Sequence, residues 1–389
     1  MKKTLSLIGI LFALTAWTYY VKTESPTLQK VASQLDGMKR VSYHYRLEIN
    51  NVKDNNFSKD SSDCYFEFDQ QSKLISRFKA GDKGYQQIYN GTERFTLDKT
   101  EKTYEIDDDS NQERFNSLII MLNAIPMLKR CLDDVIANDS ISKTERDTVL
   151  TGKKYKVITL GLPGKGLDYY HKFESYNPKI TFFYDLIVDP ATNLPYQVIS
   201  HNSSEGNTYT VRTTFTHINL TPAVPQANTW YYSSYEKEYK RAKKKEAIPL
   251  IAVGSLFPAI ALPQIGNKTT APVTPTTKNK VVLLDFWIKN CGYCMESFKY
   301  LKGLQSKYGQ QNVQIITVNA NDSREDVDFF YKREKPAYQM FYKGQALAKK
   351  LGVDYRGYPT VILAGTDGKI VYAGNFDKEK IAQLIDKML

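Results

Sequence analysis

Residues 281–287, VVLLDFW, form a continuous apolar run broken only by Asp285, and the run leads directly into KNCGYC. Such a run has no polar side to turn toward water, so it suits a strand buried on both faces, at the centre of an α/β sheet. After the second cysteine, Phe298, Leu301 and Leu304 recur at helical spacing. The order is therefore strand, short loop, and Cys291 at the start of a helix.

That order suits one chemistry. The nucleophile of disulfide exchange is a thiolate. A helix N-terminus offers unpaired N–H groups and the positive end of a dipole, both of which favour a charged sulfur. Cys291 is the expected attacking residue. Cys294, one turn in and shielded, is expected to resolve the mixed disulfide. A lone C-x-x-C is also half a zinc site, but the other two cysteines, Cys64 and Cys131, lie in a distant segment, and no histidine follows His217. Haem attachment needs a histidine after Cys294, where Met295 stands. No metal and no cofactor is expected.

The residues that follow continue in the same style. VQIITVN at 313–319 reads as a strand, SREDVDFFYKRE as a helix capped by Ser323, and GQALAKKLGV as another helix. GYPTVILAG and GKIVYAG read as two strands joined around Asp367-Gly368, a hairpin turn signal, and DKEKIAQLIDKM closes as a helix. The order β-α-β-α-α-β-β-α is that of a thioredoxin-like domain.

On these motifs, residues 251–389 resemble the TlpA-like branch of the thioredoxin superfamily. AVGSLFPAIALP looks like its lead-in, LLDFW with CGYC its active-site strand and loop, GYPT its cis-proline loop and TDGKIV its terminal hairpin. The resemblance implies an α/β thioredoxin-like fold and a thiol–disulfide oxidoreductase. It implies that Pro359 is the cis-proline facing the Cys pair and that the backbone of Tyr358 pairs with an extended substrate segment. It makes Asp285 the buried acid that shuttles the proton of Cys294. Trp287, Gly292 and Tyr293 fall on the substrate side of the loop. The chain departs from the pattern at Asn290, where an aromatic is usual, at Ser297, where many members carry Glu, and at Lys299, where a helix-kinking Pro is frequent. Gly292-Tyr293 replaces the Gly-Pro of thioredoxin. Gly-Tyr also occurs in disulfide isomerases of the DsbC type, which leaves the direction of electron transfer open.

A chain of 389 residues is too long for one ordinary core, so two domains are expected. The aromatic share of 13%, mostly from 28 Tyr, points to a strand-rich first part. Val41, Tyr43, Tyr45, Leu47 and Ile49 alternate with polar residues, and Cys64, Phe66 and Phe68 share a face. Residues 84–106 read as a hairpin turning at Asn90-Gly91, and 111–137 as a helical stretch interrupted at Pro126. Strands resume over 155–160, 180–188, 196–200 and 209–218. The phrases IYNGTERFTLD and FYDLIVDPATNLPYQVI resemble the LolA-like lipoprotein-carrier fold, which implies an antiparallel β half-barrel with helix (α+β) over 30–232 and a lipid or lipoprotein partner. Residues 233–250 read as a charged linker, helical over 234–246, and 267–280 as a Thr/Pro-rich loop. Cys64 and Cys131 read either as buried small hydrophobes or as a disulfide.

Residues 1–22 carry Lys2 and Lys3 ahead of LSLIGILFALTAW and read as a signal peptide or an N-terminal anchor, the run being short of the ~20 residues of a span. The expected location is exported, periplasmic or extracytoplasmic. The net charge of +11 reads first as a solvated basic surface and then as attraction to anionic membranes. No nucleic-acid motif accompanies it. The expected partners are protein substrates with disulfides or thiols and a membrane-linked electron donor. The alternatives are a disulfide isomerase or oxidase, and a lipid- or lipoprotein-binding protein with an accessory redox domain.

Overall fold

The computed structural model describes residues 25–107, 111–204, 206–243, 248–266, 272–273, 279–289 and 291–389. The expected signal or anchor and Asn290 lie outside them.

The first part opens with a helix, α1 (Pro26–Asp36), which the strand-dominated reading of this stretch missed. Ser25 accepts from the Leu28 N–H as its cap, Pro26 fills a position where no N–H is needed, and Leu28, Val31, Ala32 and Leu35 form its buried stripe. Twelve strands among the described residues make one sheet. Arg40–Asn51 sits near its middle, antiparallel both to Asn56–Phe68 and to Gly206–Asn219. Val41, Tyr43, Tyr45 and Leu47 are buried, as their alternation predicts, and so are Cys64, Phe66 and Phe68. Residues 85–107 make three strands instead of one hairpin, with the Asn90 turn between the first two.

The helical stretch also differs from expectation. Residues 112–121 form two 3₁₀ turns, and α2 (Ile125–Ala137) begins at Pro126 instead of breaking there. Proline is compatible with the first helical turn, which has no intrahelical N–H bond to lose. α1 and α2 pack in one core with the inner face of the sheet. The connector has no α-helix where it is described, only a 3₁₀ turn over Tyr232–Tyr235 at its start. Lys240–Arg241 adds to the sheet edge, parallel to Thr103–Asp107, while Trp230 and Tyr239 pack with Phe95 and Tyr104 in a separate core.

The C-terminal region has a five-stranded sheet. Its centre, Val281–Trp287, is buried at every position. It pairs in parallel with Val313–Asn319 and antiparallel with Thr360–Ala364. Gln339–Phe341 and Ile370–Asn375 form the two edges. The helices are α3 (Gly292–Asn312, broken at Gly309), α4 (Arg324–Glu334), α5 (Gln345–Lys350), α6 (Val353–Arg356) and α7 (Lys378–Met388). Ser323 caps α4 as expected, accepting from the Asp326 N–H. The extra edge strand and the short α6 are additions to the element order read from sequence. With the central strand covered on both faces, this is a thioredoxin-like fold.

Gly352, between α5 and α6, has φ +77°, and a Cβ there would lie 2.4 Å from the Pro249 carbonyl oxygen. The absence of a side chain lets the lead-in cross this corner, where Ile251 N–H donates to Leu351 O. Gly352→Ala is expected to cost roughly 2–4 kcal/mol through the left-handed backbone and the overlap together. Urea unfolding measures it, and a loss under ~0.5 kcal/mol would contradict this account.

Candidate functional site

The central strand delivers the cysteines. It ends at Trp287, and Cys291 is the N-cap of α3, its sulfur accepting from the Cys294 N–H at 3.2 Å and its carbonyl from the Met295 N–H at 3.2 Å. Cys291 and Cys294 are joined as a disulfide, S–S 2.04 Å. Cys291 is half-buried and Cys294 is fully buried, so only the first sulfur is within reach of solvent.

Tyr358 and Pro359 stand opposite. Thr360 pairs with Phe286 at the strand end, and its hydroxyl donates to Gly357 O at 2.6 Å. That fixes the preceding residues beside the cysteines. The Tyr358–Pro359 peptide is cis, and the Tyr358 carbonyl oxygen lies 3.5 Å from Cys291 Sγ. Gly292 and Tyr293 are exposed at the tip of the loop, with Tyr293 77% accessible. An open cavity of about 860 Å³ runs from this tip along the proline loop, bounded by Tyr293, Tyr300, Tyr358 and Phe376 together with Lys299 and Arg356.

Asp285 lies on the central strand, in register with Thr317 and Val361, and is fully buried. Burial pushes its carboxyl well above the ordinary range, against a smaller opposing effect from Ser297. Its Oδ1 has no hydrogen-bond partner, nor does the buried Oη of Tyr338. Burial, with the Asp285 charge second, also raises Tyr338. Ser297 Oγ donates to Cys294 O at 2.8 Å and stands 3.4 Å from Asp285 Oδ2. A serine has one hydrogen to give. Ser297 is the donor in both contacts, so its one hydrogen is divided between Cys294 O and the longer contact to Asp285 Oδ2, and its hold on the carboxylate is weak. The sequence reading marked Ser297 only as a departure. Its place one helical turn beyond Cys294 was the signal that it shares the cysteine's face.

Trp287 needs a correction. It does not reach the substrate side: it is fully buried, with its ring edge-on to Phe298 and Phe330 at 5.0 and 5.3 Å, and forms the floor of the loop. Cys64 and Cys131 are free and buried, without the disulfide that was the rival reading. Burial raises both thiols, Cys131 to about 12, which leaves them as thiols at neutral pH. No group of metal-ligating side chains occurs among the described residues, and no helix among them is long and apolar enough to cross a membrane.

A disulfide-joined cysteine pair at a helix start, beside a cis-proline loop, thus stands in a thioredoxin-like fold whose central strand buries an acid. Residues 252–385 match the Redoxin family, so the C-terminal region is a Redoxin domain. It is homologous to thiol–disulfide oxidoreductases. The chain is 29% identical to the thiol-disulfide oxidoreductase ResA of Halalkalibacterium halodurans over 112 residues, 28% of this chain and 62% of that protein. It is 25% identical to the thiol:disulfide interchange protein HelX of Rhodobacter capsulatus over 147 residues, 37% of this chain and 80% of that one. A solution structure of a thiol:disulfide interchange protein from Bacteroides sp. is similar at 24% identity and TM-score 0.31, over 35% of this chain and 90% of that one. The chain thus spans less than two thirds of the length of the first of these relatives.

Proposed function

We propose that this protein is an extracytoplasmic thiol–disulfide oxidoreductase that reduces disulfides of exported proteins through its CGYC dithiol. The observation that carries the reading is the pair itself: a half-exposed Cys291 at a helix N-terminus and a shielded Cys294, with the buried Asp285, whose Oδ1 has no partner, reached through Ser297. In the reduced protein the Cys291 thiolate attacks one sulfur of a substrate disulfide. The other substrate sulfur leaves as a thiolate and takes a proton, and a mixed disulfide remains on Cys291. Asp285 in its ionised form takes the proton of Cys294, whose thiolate attacks Cys291 Sγ. The Cys291–Cys294 disulfide forms, the second substrate sulfur leaves, and two electrons have passed to the substrate. An external dithiol, which we assign to a membrane-linked donor, reduces the pair again.

The remaining site residues take supporting roles. The Tyr358 backbone pairs with an extended substrate segment, and Pro359 shapes the surface against the sulfurs. Gly292 and Tyr293 face the substrate at the loop tip, and the adjoining aromatic cavity receives its flanking side chains. We further propose a boundary at 233–250 between the redox domain and a LolA-like domain that binds lipid or lipoprotein. The helices packed on the sheet's inner face are the observation behind that second assignment.

Equilibration of the full chain against glutathione tests the direction. A potential near or below ~−250 mV supports the reductant, whereas ~−180 to −120 mV would make it an isomerase or oxidase. Absence of a reversible two-electron couple would remove the redox reading altogether.

A further inference from the structure

The first hairpin of the N-terminal sheet reaches across to the redox region. Asn51 shapes its tip, donating from Nδ2 to Asp54 Oδ2 at 2.8 Å and accepting from the Asp54 N–H at 3.1 Å. From this tip Asp54 Oδ1 and Lys53 O each accept from Arg333 Nη1 at 2.6 Å, and Asn55 Nδ2 donates to Asp326 Oδ1 at 3.2 Å. Both α4 residues also touch a neighbour of the cysteines. Asp326 Oδ2 accepts from Lys289 Nζ at 2.9 Å, two positions before Cys291. Arg333 Nη2 lies 3.3 Å from Sδ of Met295, the residue after Cys294. Arg333 also covers Phe330 at 4.6 Å, and Phe330 packs on Trp287 under the loop.

Resting on the redox reading above, we propose that the hairpin tip is a positioning element of the redox centre, in which Asp54 and Asn55 set how much positive charge Arg333 and Lys289 present to the cysteines. Both cations are about three-quarters buried, at 25% and 24% side-chain exposure, so solvent screens them only in part. Each is neutralised by a carboxylate at the hairpin contact. Burial would raise the Asp326 carboxyl, but hydrogen bonds from Lys289, Ser323 and Asn55 outweigh it and hold the group below its ordinary range. Asp326 is thus an anion fixed between the hairpin and Lys289. Arg333 is shared between Asp54 and Glu334, whose Oε1 lies 2.7 Å from Nε. Removing the Asp54 charge leaves Arg333 with Glu334, and the surplus positive charge favours the thiolate and so the dithiol state. Removing Arg333 acts in the opposite sense.

The test uses the full chain in three forms: wild type, Asp54→Asn and Arg333→Gln. The equilibrium constant with glutathione is measured for each, with the alkylation rate of reduced Cys291 at pH 7. Asp54→Asn is expected to shift the constant about threefold toward the dithiol, or ~14 mV at ~30 mV per tenfold, and to speed alkylation. Arg333→Gln is expected to shift both readings the other way, and Asp54→Glu to restore the wild-type values. A loosened loop would move both variants in one direction, so shifts of the same sign, or none, overturn the proposal. A wild type without any reversible couple overturns the redox reading beneath it, a result distinct from a wild-type couple that ignores both substitutions.

Discussion

Cys291→Ser is expected to lose disulfide reductase activity by at least about a thousandfold, because a hydroxyl at neutral pH supplies no nucleophile comparable to a thiolate at a helix N-terminus. Cys294→Ser is expected to behave differently. Its Cys291 still attacks, but nothing resolves the product, so substrate accumulates as a mixed disulfide that intact mass detects and dithiothreitol releases. The burial difference makes the result directional: Cys294 is wholly enclosed, whereas Cys291 is half-exposed beside the Tyr358 carbonyl. If the adduct formed on Cys294 in the Cys291→Ser protein, the order of attack would be reversed and the site reading would fall.

Asp285→Asn is expected to be more stable than wild type at neutral pH and to resolve mixed disulfides more slowly. Above about pH 4 the unfolded chain releases this proton. The folded chain, whose Asp285 is raised by burial, retains it to higher pH. The folded state then binds more protons, so its stability falls as pH rises through that interval. The asparagine does not titrate. The stability difference between variant and wild type should therefore widen from pH 4 upward and level off above the raised value. Its size should be of the order of 1–3 kcal/mol, the scale of a buried polar group without a partner. Urea unfolding across pH measures it, and a difference independent of pH would refute the linkage. Resolution at pH 7 should slow roughly a hundredfold, the range of a lost general base. An unchanged rate would assign Asp285 to structure alone.

The redox site was legible because its signals are local. VVLLDFW declares a doubly buried strand, and the cysteines sit three residues apart at the helix that follows. The buried acid and the proline loop came from the family pattern: Tyr358 of that loop contacts Cys291, and Asp285 is buried, with Ser297 between it and the Cys294 carbonyl. What the sequence could not supply was depth. Trp287 shares a face with Asp285 on a strand covered on both sides, and only the packing of Phe298 and Phe330 shows how deeply it is enclosed. The contact of Asp54 and Asn55 with α4 joins residues about 270 positions apart, beyond the reach of any periodicity. In the first part, α1 carried a readable start at Ser25-Pro26, but the strong alternation that follows it drew the reading toward strand. At Pro126 the ambiguity was physical: proline both ends helices and begins them, and here it begins one.

The order of synthesis bears on the large sheet. Arg40–Asn51 finds one neighbour immediately in Asn56–Phe68, but the other, Gly206–Asn219, emerges only some 160 residues later. Thr103–Asp107 likewise waits for Lys240–Arg241. Contacts so distant along the chain carry a high loop-closure cost before they give any stabilisation, and they lengthen folding times. During translation, the early strands thus present unpaired edges until their distant partners have emerged, a period in which they are open to self-association. A truncation ending near residue 200 would make that transient exposure permanent, leaving the inner edge of Arg40–Asn51 without the strand that covers it.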